Sequence, residues 1–85
     1  MNIKVLYFAR LRERFGVSEE VIELPDSMAM VAMLLDVLRA RGGEWAQALA
    51  AGQNFRVAVN QDMAAMNSPL EADDEVAIFP PVTGG

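Results

Sequence analysis

The chain has 85 residues, enough for one domain, with 12 acidic and 7 basic residues and a net charge of −5. It contains no cysteine and no histidine, which excludes a disulfide framework, the usual Cys/His zinc site, a cysteine nucleophile and a histidine general base. An acidic domain is a poor nucleic-acid binder, because phosphate neutralisation needs clustered Lys and Arg.

Residues 2–8 (Asn-Ile-Lys-Val-Leu-Tyr-Phe) are rich in β-branched and aromatic types and predict a strand. Ile3, Val5 and Tyr7 share one face; Lys4, Leu6 and Phe8 share the other. Residues 9–15 predict a short helix, with Leu11 and Phe15 one turn apart and Gly16 as its stop. A turn over 16–18 leads into a second strand over 20–24, where Ile22 and Leu24 fall together. Pro25-Asp26-Ser27 opens the main helix, expected over residues 27–41 with Ser27 as N-cap. Met30, Val31, Leu34, Leu35 and Leu38 make one apolar stripe along it. Arg39 and Arg41 suit its negative C-terminal end, and Gly42-Gly43 ends it. A second short helix is expected over 44–51, with Trp45 and Leu49 on one side.

Residues 55–59 alternate as a strand, and Asn60-Gln61-Asp62 is turn chemistry. Pro69 bars a central strand across residues 63–72, a stretch with no clear pattern. Asp73-Asp74 marks another turn. Residues 75–79 form the last strand, with Val76 and Ile78 on one face and Ala77 and Phe79 on the other. The eight-residue run from Met28 to Leu35 is the longest apolar stretch, far short of a membrane span. The opening reads as a strand and not as a signal segment. A soluble cytoplasmic protein with no membrane partner is expected.

These elements predict an α+β fold, a mixed sheet crossed by one main helix plus short helices. The arrangement is that of the ubiquitin-like β-grasp, with residues 1–79 as the domain and 80–85 as an extended tail. Residues 3–8 and 75–79 are expected to pair in parallel at the sheet centre.

Familiar catalytic groupings do not occur: no Gly-rich phosphate loop, no serine beside a base, no metal-ligand spacing. Asp73, Asp74 and Glu75 read as a solvated turn and not as a cation site. Arg10, Arg12 and Arg14 do not share one helix face and read as a solvated rim. Met28, Met30, Met33, Met63 and Met66 could form a soft binding surface, although the helical stripe assigns Met30 to the core. The outer sheet face is more telling. Leu6, Phe8, Ala77 and Phe79 point away from the main helix, joined by Met63 from the turn after the third strand. Aromatic side chains there read as a binding surface, unless the short helices cover them. Phe8, Met63 and Phe79 are the candidate partner-binding residues.

The C-terminal end is the second telling feature. Pro80-Pro81 stiffens the exit and cannot extend the strand ladder. The six residues after the last strand reach about 20 Å when extended. Gly84 and Gly85 carry no side chain and can pass a narrow channel. Alone, a Gly-Gly ending reads as a frayed terminus. Joined to a β-grasp pattern through Pro-Pro, it reads as a projecting chemical handle.

The ending Asp73-Asp74-Glu75-Val76-Ala77-Ile78-Phe79-Pro80-Pro81-Val82-Thr83-Gly84-Gly85 resembles that of the small, sulfur-carrying subunits of molybdopterin synthase. Residues 3–9 with Leu11-Arg12-Glu13, and Val57-Ala58-Val59-Asn60-Gln61, are similar to that family's opening and third strand. Residues 27–53 match only in pattern. The resemblance implies a non-catalytic carrier that binds no cofactor. An adenylating enzyme similar to the one that activates ubiquitin would spend ATP on the Gly85 carboxylate. A sulfur donor system would then convert it to a thiocarboxylate. The tail, Pro80, Pro81, Val82, Thr83 and Gly84, would insert into the large synthase subunit, whose residues perform catalysis. Sulfur would pass to cyclic pyranopterin monophosphate to make molybdopterin, two charged carriers being consumed per product. Three alternatives stay open: a carrier for another pathway such as thiamine thiazole assembly, a ubiquitin-like modifier that forms isopeptide bonds, and an interaction module with an inert tail. The Phe-Pro-Pro-Val-Thr ending favours the molybdopterin branch, and the fate of the terminus separates the rest.

Overall fold

Alternating apolar residues near the start of the chain form strand β1 (Asn2–Tyr7), whose Ile3, Val5 and Tyr7 are buried while Asn2 and Lys4 face solvent. The computed structural model describes residues 1–25 and 29–81; the expected N-cap Ser27 and the tail residues Val82, Thr83, Gly84 and Gly85 lie outside the described residues. The elements that follow β1 are α1 (Ala9–Phe15), β2 (Glu19–Glu23), α2 (Val31–Arg39), α3 (Gly43–Ala48), β3 (Arg56–Val59), β4 (Asp62–Met63) and β5 (Glu75–Phe79). The five strands form one mixed sheet in the order β2-β1-β5-β3-β4. β1 and β5 pair in parallel, Val5 opposite Val76 and Tyr7 opposite Ile78, as expected from the sequence. The other pairings are antiparallel.

Strand and helix ends depart from the sequence pattern for identifiable reasons. β1 stops at Tyr7 and not at Phe8, because the Phe8 carbonyl accepts the amides of Leu11 and Arg12 and so caps α1. Gly16 closes α1 in the left-handed conformation, φ 72°, as its position predicted. The second strand is displaced by one residue, to Glu19–Glu23, and the third starts one residue later than expected, at Arg56, and ends at Val59 as expected. The second short helix covers Gly43–Ala48 and not 44–51.

The main helix is shorter than the expected 27–41. Met30 is extended (φ −145°, ψ 168°) and bridges Pro69, so it stands at the N-cap outside the helical stripe. The first-turn amides of Val31 and Ala32 donate to the carbonyls of Ser68 and Met66. The orphan donors of the helix are therefore satisfied by a distant backbone segment. At the other end, the Arg41 amide donates to Leu38 and that of Gly42 to Arg39, a tightening turn that leaves Arg41 beyond the helix.

Strand β4 is an addition to the predicted elements. Asn60 and Gln61 both adopt positive φ, 50° and 73°, the conformation of a two-residue hairpin turn. That turn places Asp62 opposite Val59 and Met63 opposite Ala58.

α2 crosses one face of the sheet and buries Val31, Leu34, Leu35 and Leu38 completely against Ile3, Val5, Val76 and Ile78 in a single core. Each such side chain contributes about 1.5–3 kcal/mol by leaving water. No buried side-chain nitrogen or oxygen among the described residues lacks a partner. No helix among them is long and apolar enough to cross a membrane.

Candidate functional site

Both short helices stand on the same side of the sheet as α2. Phe15 of α1 and Trp45 of α3 stack with centroids 3.8 Å apart, and each meets the inward ring of Tyr7 edge-on, at 5.3 and 5.4 Å. Among the described residues, no helix covers the opposite face.

Strand registers align side chains across that outer face. Met63 stands opposite Ala58, Ala58 opposite Ala77, and Ala77 opposite Leu6. The row is apolar from one edge of the sheet to β1, and low in the middle where two alanines lie side by side. Phe79 is half-buried beside it, opposite Arg56. Phe8, the residue after β1, is 45% exposed and Met63 is 64% exposed. Phe8, Met63 and Phe79 thus all belong to the outer side, Met63 from a paired strand and not from a free turn. Ala58 joins them, a residue that the alternation of residues 55–59 could have disclosed; its small side chain drew no notice. Beyond Leu6 the row turns charged: Glu19 holds Lys4 at 3.1 Å, and this hydrogen bond raises the Lys4 pKa.

The outer face leads directly to the chain exit. β5 ends at Phe79, and Pro80 and Pro81 follow, both half-buried and outside any regular element. Val82, Thr83, Gly84 and Gly85 are outside the described residues, so the expectations placed on them rest on sequence.

On the helix side, the Tyr7 hydroxyl donates to Glu20 Oε2 at 2.7 Å. Arg41 donates to both Glu20 oxygens, at 2.9 and 2.8 Å, and its guanidinium lies 4.5 Å from the Trp45 ring centre. The Arg41 hydrogen bond holds the Glu20 carboxyl below its ordinary range. Burial pushes the Tyr7 phenol well above its own. This cluster ties β1, β2 and α3 together, so Arg41 pairs with a strand where the sequence suggested a helix-end charge. Arg14 donates to Glu44 at 2.6 Å and links α1 to α3.

The Asp73-Asp74 turn organises backbone. Asp73 has φ 67°, and Asp74 accepts the Glu71 amide at 2.8 Å and the Asn60 side-chain amide at 2.9 Å. Among the described residues, no group of three or more His, Cys, Asp or Glu is placed to hold a metal ion.

Comparison with known proteins matches the model of the ThiS family over residues 5–85. The chain is 42% identical to the molybdopterin synthase sulfur carrier subunit of Escherichia coli and 41% identical to that of Haemophilus influenzae. Each match spans 98% of this chain and 99% of the relative. Among solved structures, a putative molybdopterin converting factor subunit 1 from Pyrococcus furiosus superposes with a TM-score of 0.81 at 32% identity, covering 96% of this chain and 99% of that one. The fold is the ubiquitin-like β-grasp expected from the element order.

Proposed function

The chain belongs to the ThiS family, and from that premise we propose that it is the sulfur-carrying small subunit of a molybdopterin synthase. The observation that carries this reading is the end-to-end likeness to named molybdopterin synthase sulfur carrier subunits, 42% and 41% identical over 98% of this chain.

The proposed chemistry belongs to the tail, residues 80–85, with residues 1–79 as the domain that delivers it. In the first step an adenylating enzyme joins the Gly85 carboxylate to the α-phosphate of ATP and pyrophosphate leaves. This makes a carboxylate, a poor electrophile, reactive. Sulfide-level sulfur delivered by a donor system attacks the Gly85 carbonyl carbon as HS−, AMP leaves with the electron pair of the cleaved C–O bond, and the new S–H proton passes to solvent. The resulting thiocarboxylate is ionised at neutral pH and needs no base from this chain, which suits a protein without Cys or His. The tail then enters the large subunit, where the thiocarboxylate sulfur bonds to cyclic pyranopterin monophosphate, water cleaves its bond to the Gly85 carbonyl carbon and restores the carboxylate, and two such deliveries complete one molybdopterin. The carrier supplies position and reach; the large subunit supplies electrostatics and proton transfers.

The outer face supports docking. Phe8 and Phe79 stand together at the end where Pro80 leaves the sheet and Met63 at the far edge, an apolar face on which a partner would dock beside the chain exit. No cofactor is assigned to the carrier, and ATP serves only the activating enzyme. All steps take place in the cytoplasm.

Reconstitution tests the reading. With activating enzyme, ATP, sulfur donor and large subunit, the full chain supports molybdopterin formation. A chain lacking Gly84 and Gly85 binds the large subunit and forms none. Equal product from both would contradict the proposal.

A further inference from the structure

The charges of this chain are sorted along β5. Four of its seven cationic side chains are held in ion pairs: Lys4 with Glu19, Arg14 with Glu44, Arg39 with Asp36 and Arg41 with Glu20. Arg10, Arg12 and Arg56 form no ion pair among the described residues, and all three are exposed. They share one end of the sheet. β1 and β5 run parallel and end together, the Phe8 amide donating to the Ile78 carbonyl at 3.2 Å, so Arg10 and Arg12 follow within a turn of the strand end. β3 runs the other way and begins there, with Arg56 opposite Phe79. The start of α1, which carries Arg10 and Arg12 on different faces, and the start of β3, which carries Arg56, therefore lie on either side of the point where Pro80 and Pro81 leave the sheet. Glu13 is the carboxylate nearest in sequence, and it forms no ion pair with Arg10, Arg12 or Arg14 among the described residues.

Glu13 aside, the described acids without an ion pair collect at the opposite end. Glu23 stands opposite Asn2 and Asp62 opposite Val59. Glu71, Asp73 and Asp74 build the turn before β5, where the Asp73 amide donates to Asn2, and Glu75 opens the strand. The two poles are separated by the five residues of β5, about 17 Å at roughly 3.4 Å per residue. Screening acts over about 8 Å at physiological salt. At contact range the arginine pole is thus felt on its own, although the chain as a whole carries −5.

We propose that Arg10, Arg12 and Arg56 form a positive collar around the tail exit, which steers the carrier tail-first onto a carboxylate-lined mouth of the large subunit. The proposal rests on the carrier reading above. Distance selects a protein rim over a small anion: six residues can reach about 20 Å when fully extended, so with the tail inserted the collar would meet the entrance of the partner and not its reacting centre. Such steering raises association rates by about 10- to 1,000-fold at low ionic strength and leaves dissociation nearly unchanged.

The test measures association and dissociation rates with the large subunit for the wild type and for Arg10→Glu/Arg12→Glu/Arg56→Glu, from about 0.01 M to about 1 M salt. We expect association of the variant to be slower by about tenfold or more at low salt. The two proteins should converge at high salt, with dissociation rates alike throughout. Neutralising the far pole (Glu71→Gln/Asp73→Asn/Glu75→Gln) should change association much less. If the triple reversal does not fold, single Arg→Gln variants are read in the same way. Unchanged or faster association of the reversed variant, with the wild type binding normally, would overturn the collar. A wild type that does not bind the large subunit at all would overturn the carrier reading, and the collar with it.

Discussion

Met63 stands directly opposite Ala58 on the outer face of the sheet, the methionine 64% exposed and the alanine, itself opposite Ala77, only 7% exposed. This pairing gives the face a shallow relief, bounded by Phe8 and Phe79 at the end where the tail leaves. Apolar side chains around a low centre suit the insertion of a partner residue, and interface energy concentrates in such places.

Phe79→Ala is therefore expected to weaken binding to the large subunit by about 2 kcal/mol or more, a loss of tens-fold in Kd. Its far-UV circular dichroism should stay that of the wild type. Titration calorimetry against the large subunit checks this; unchanged affinity would remove Phe79 from the interface.

A one-residue extension after Gly85 is expected to abolish adenylation and sulfur transfer. Each added residue moves the terminus by about 3.3–3.6 Å, and a misplacement of about 1 Å can cost 100-fold in a positioned reaction. Gly84→Val should act similarly, because its side chain needs room in a narrow channel. Both proteins should melt at the wild-type temperature and keep part of their affinity for the large subunit. Pyrophosphate release by the activating enzyme and thermal melts supply the two readouts.

Leu38→Ala is expected to destabilise the domain by about 2–5 kcal/mol. Leu38 is fully buried, and removing three carbons there leaves a cavity between α2 and the sheet. Urea unfolding measures the loss. A cost below about 1 kcal/mol would mean that the core repacks around the vacancy.

The Glu20 carboxyl titrates below its ordinary value of 4.5, chiefly because Arg41 hydrogen-bonds it. A carboxyl with a lowered folded pKa stabilises the fold fully above its unfolded pKa, and this share is lost as pH falls through the folded value. Wild type and Glu20→Gln should therefore differ most near neutrality and converge as pH falls through the lowered folded value. The gap should be modest, about 1 kcal/mol or less, since the pair is partly solvated. Urea midpoints of the two proteins between pH 7 and pH 3 give the comparison.

Much of this fold is legible in local pattern, and the exceptions share one cause. The inward alternation of Ile3, Val5 and Tyr7, and of Val76 and Ile78, is a period-two signal that each strand carries by itself. The start of α2 is different. Its first amides are satisfied by Ser68 and Met66, more than thirty positions away, so no reading of residues 25–31 could have placed Val31 as the first helical residue. The β3–β4 hairpin escaped for a related reason: two residues of β4 are too few to show alternation, and Asn60-Gln61 is a weaker turn signal than Asn-Gly. Arg41 looked like a helix-end charge because its true partner, Glu20, lies on a strand 21 positions earlier. The outer face was readable as alternation. The role proposed for Gly85 rests on resemblance alone, since nothing in the residue itself distinguishes a reactive terminus from a frayed one.

The most direct test of the central claim is the intact mass of the protein taken from cells that make molybdenum cofactor. The account predicts a species heavier by the difference between sulfur and oxygen. Fragmentation should place that difference on Gly85, and it should vanish when the activating enzyme is removed. A terminus found only as free carboxylate, or only joined through isopeptide bonds to lysines of other proteins, would contradict it.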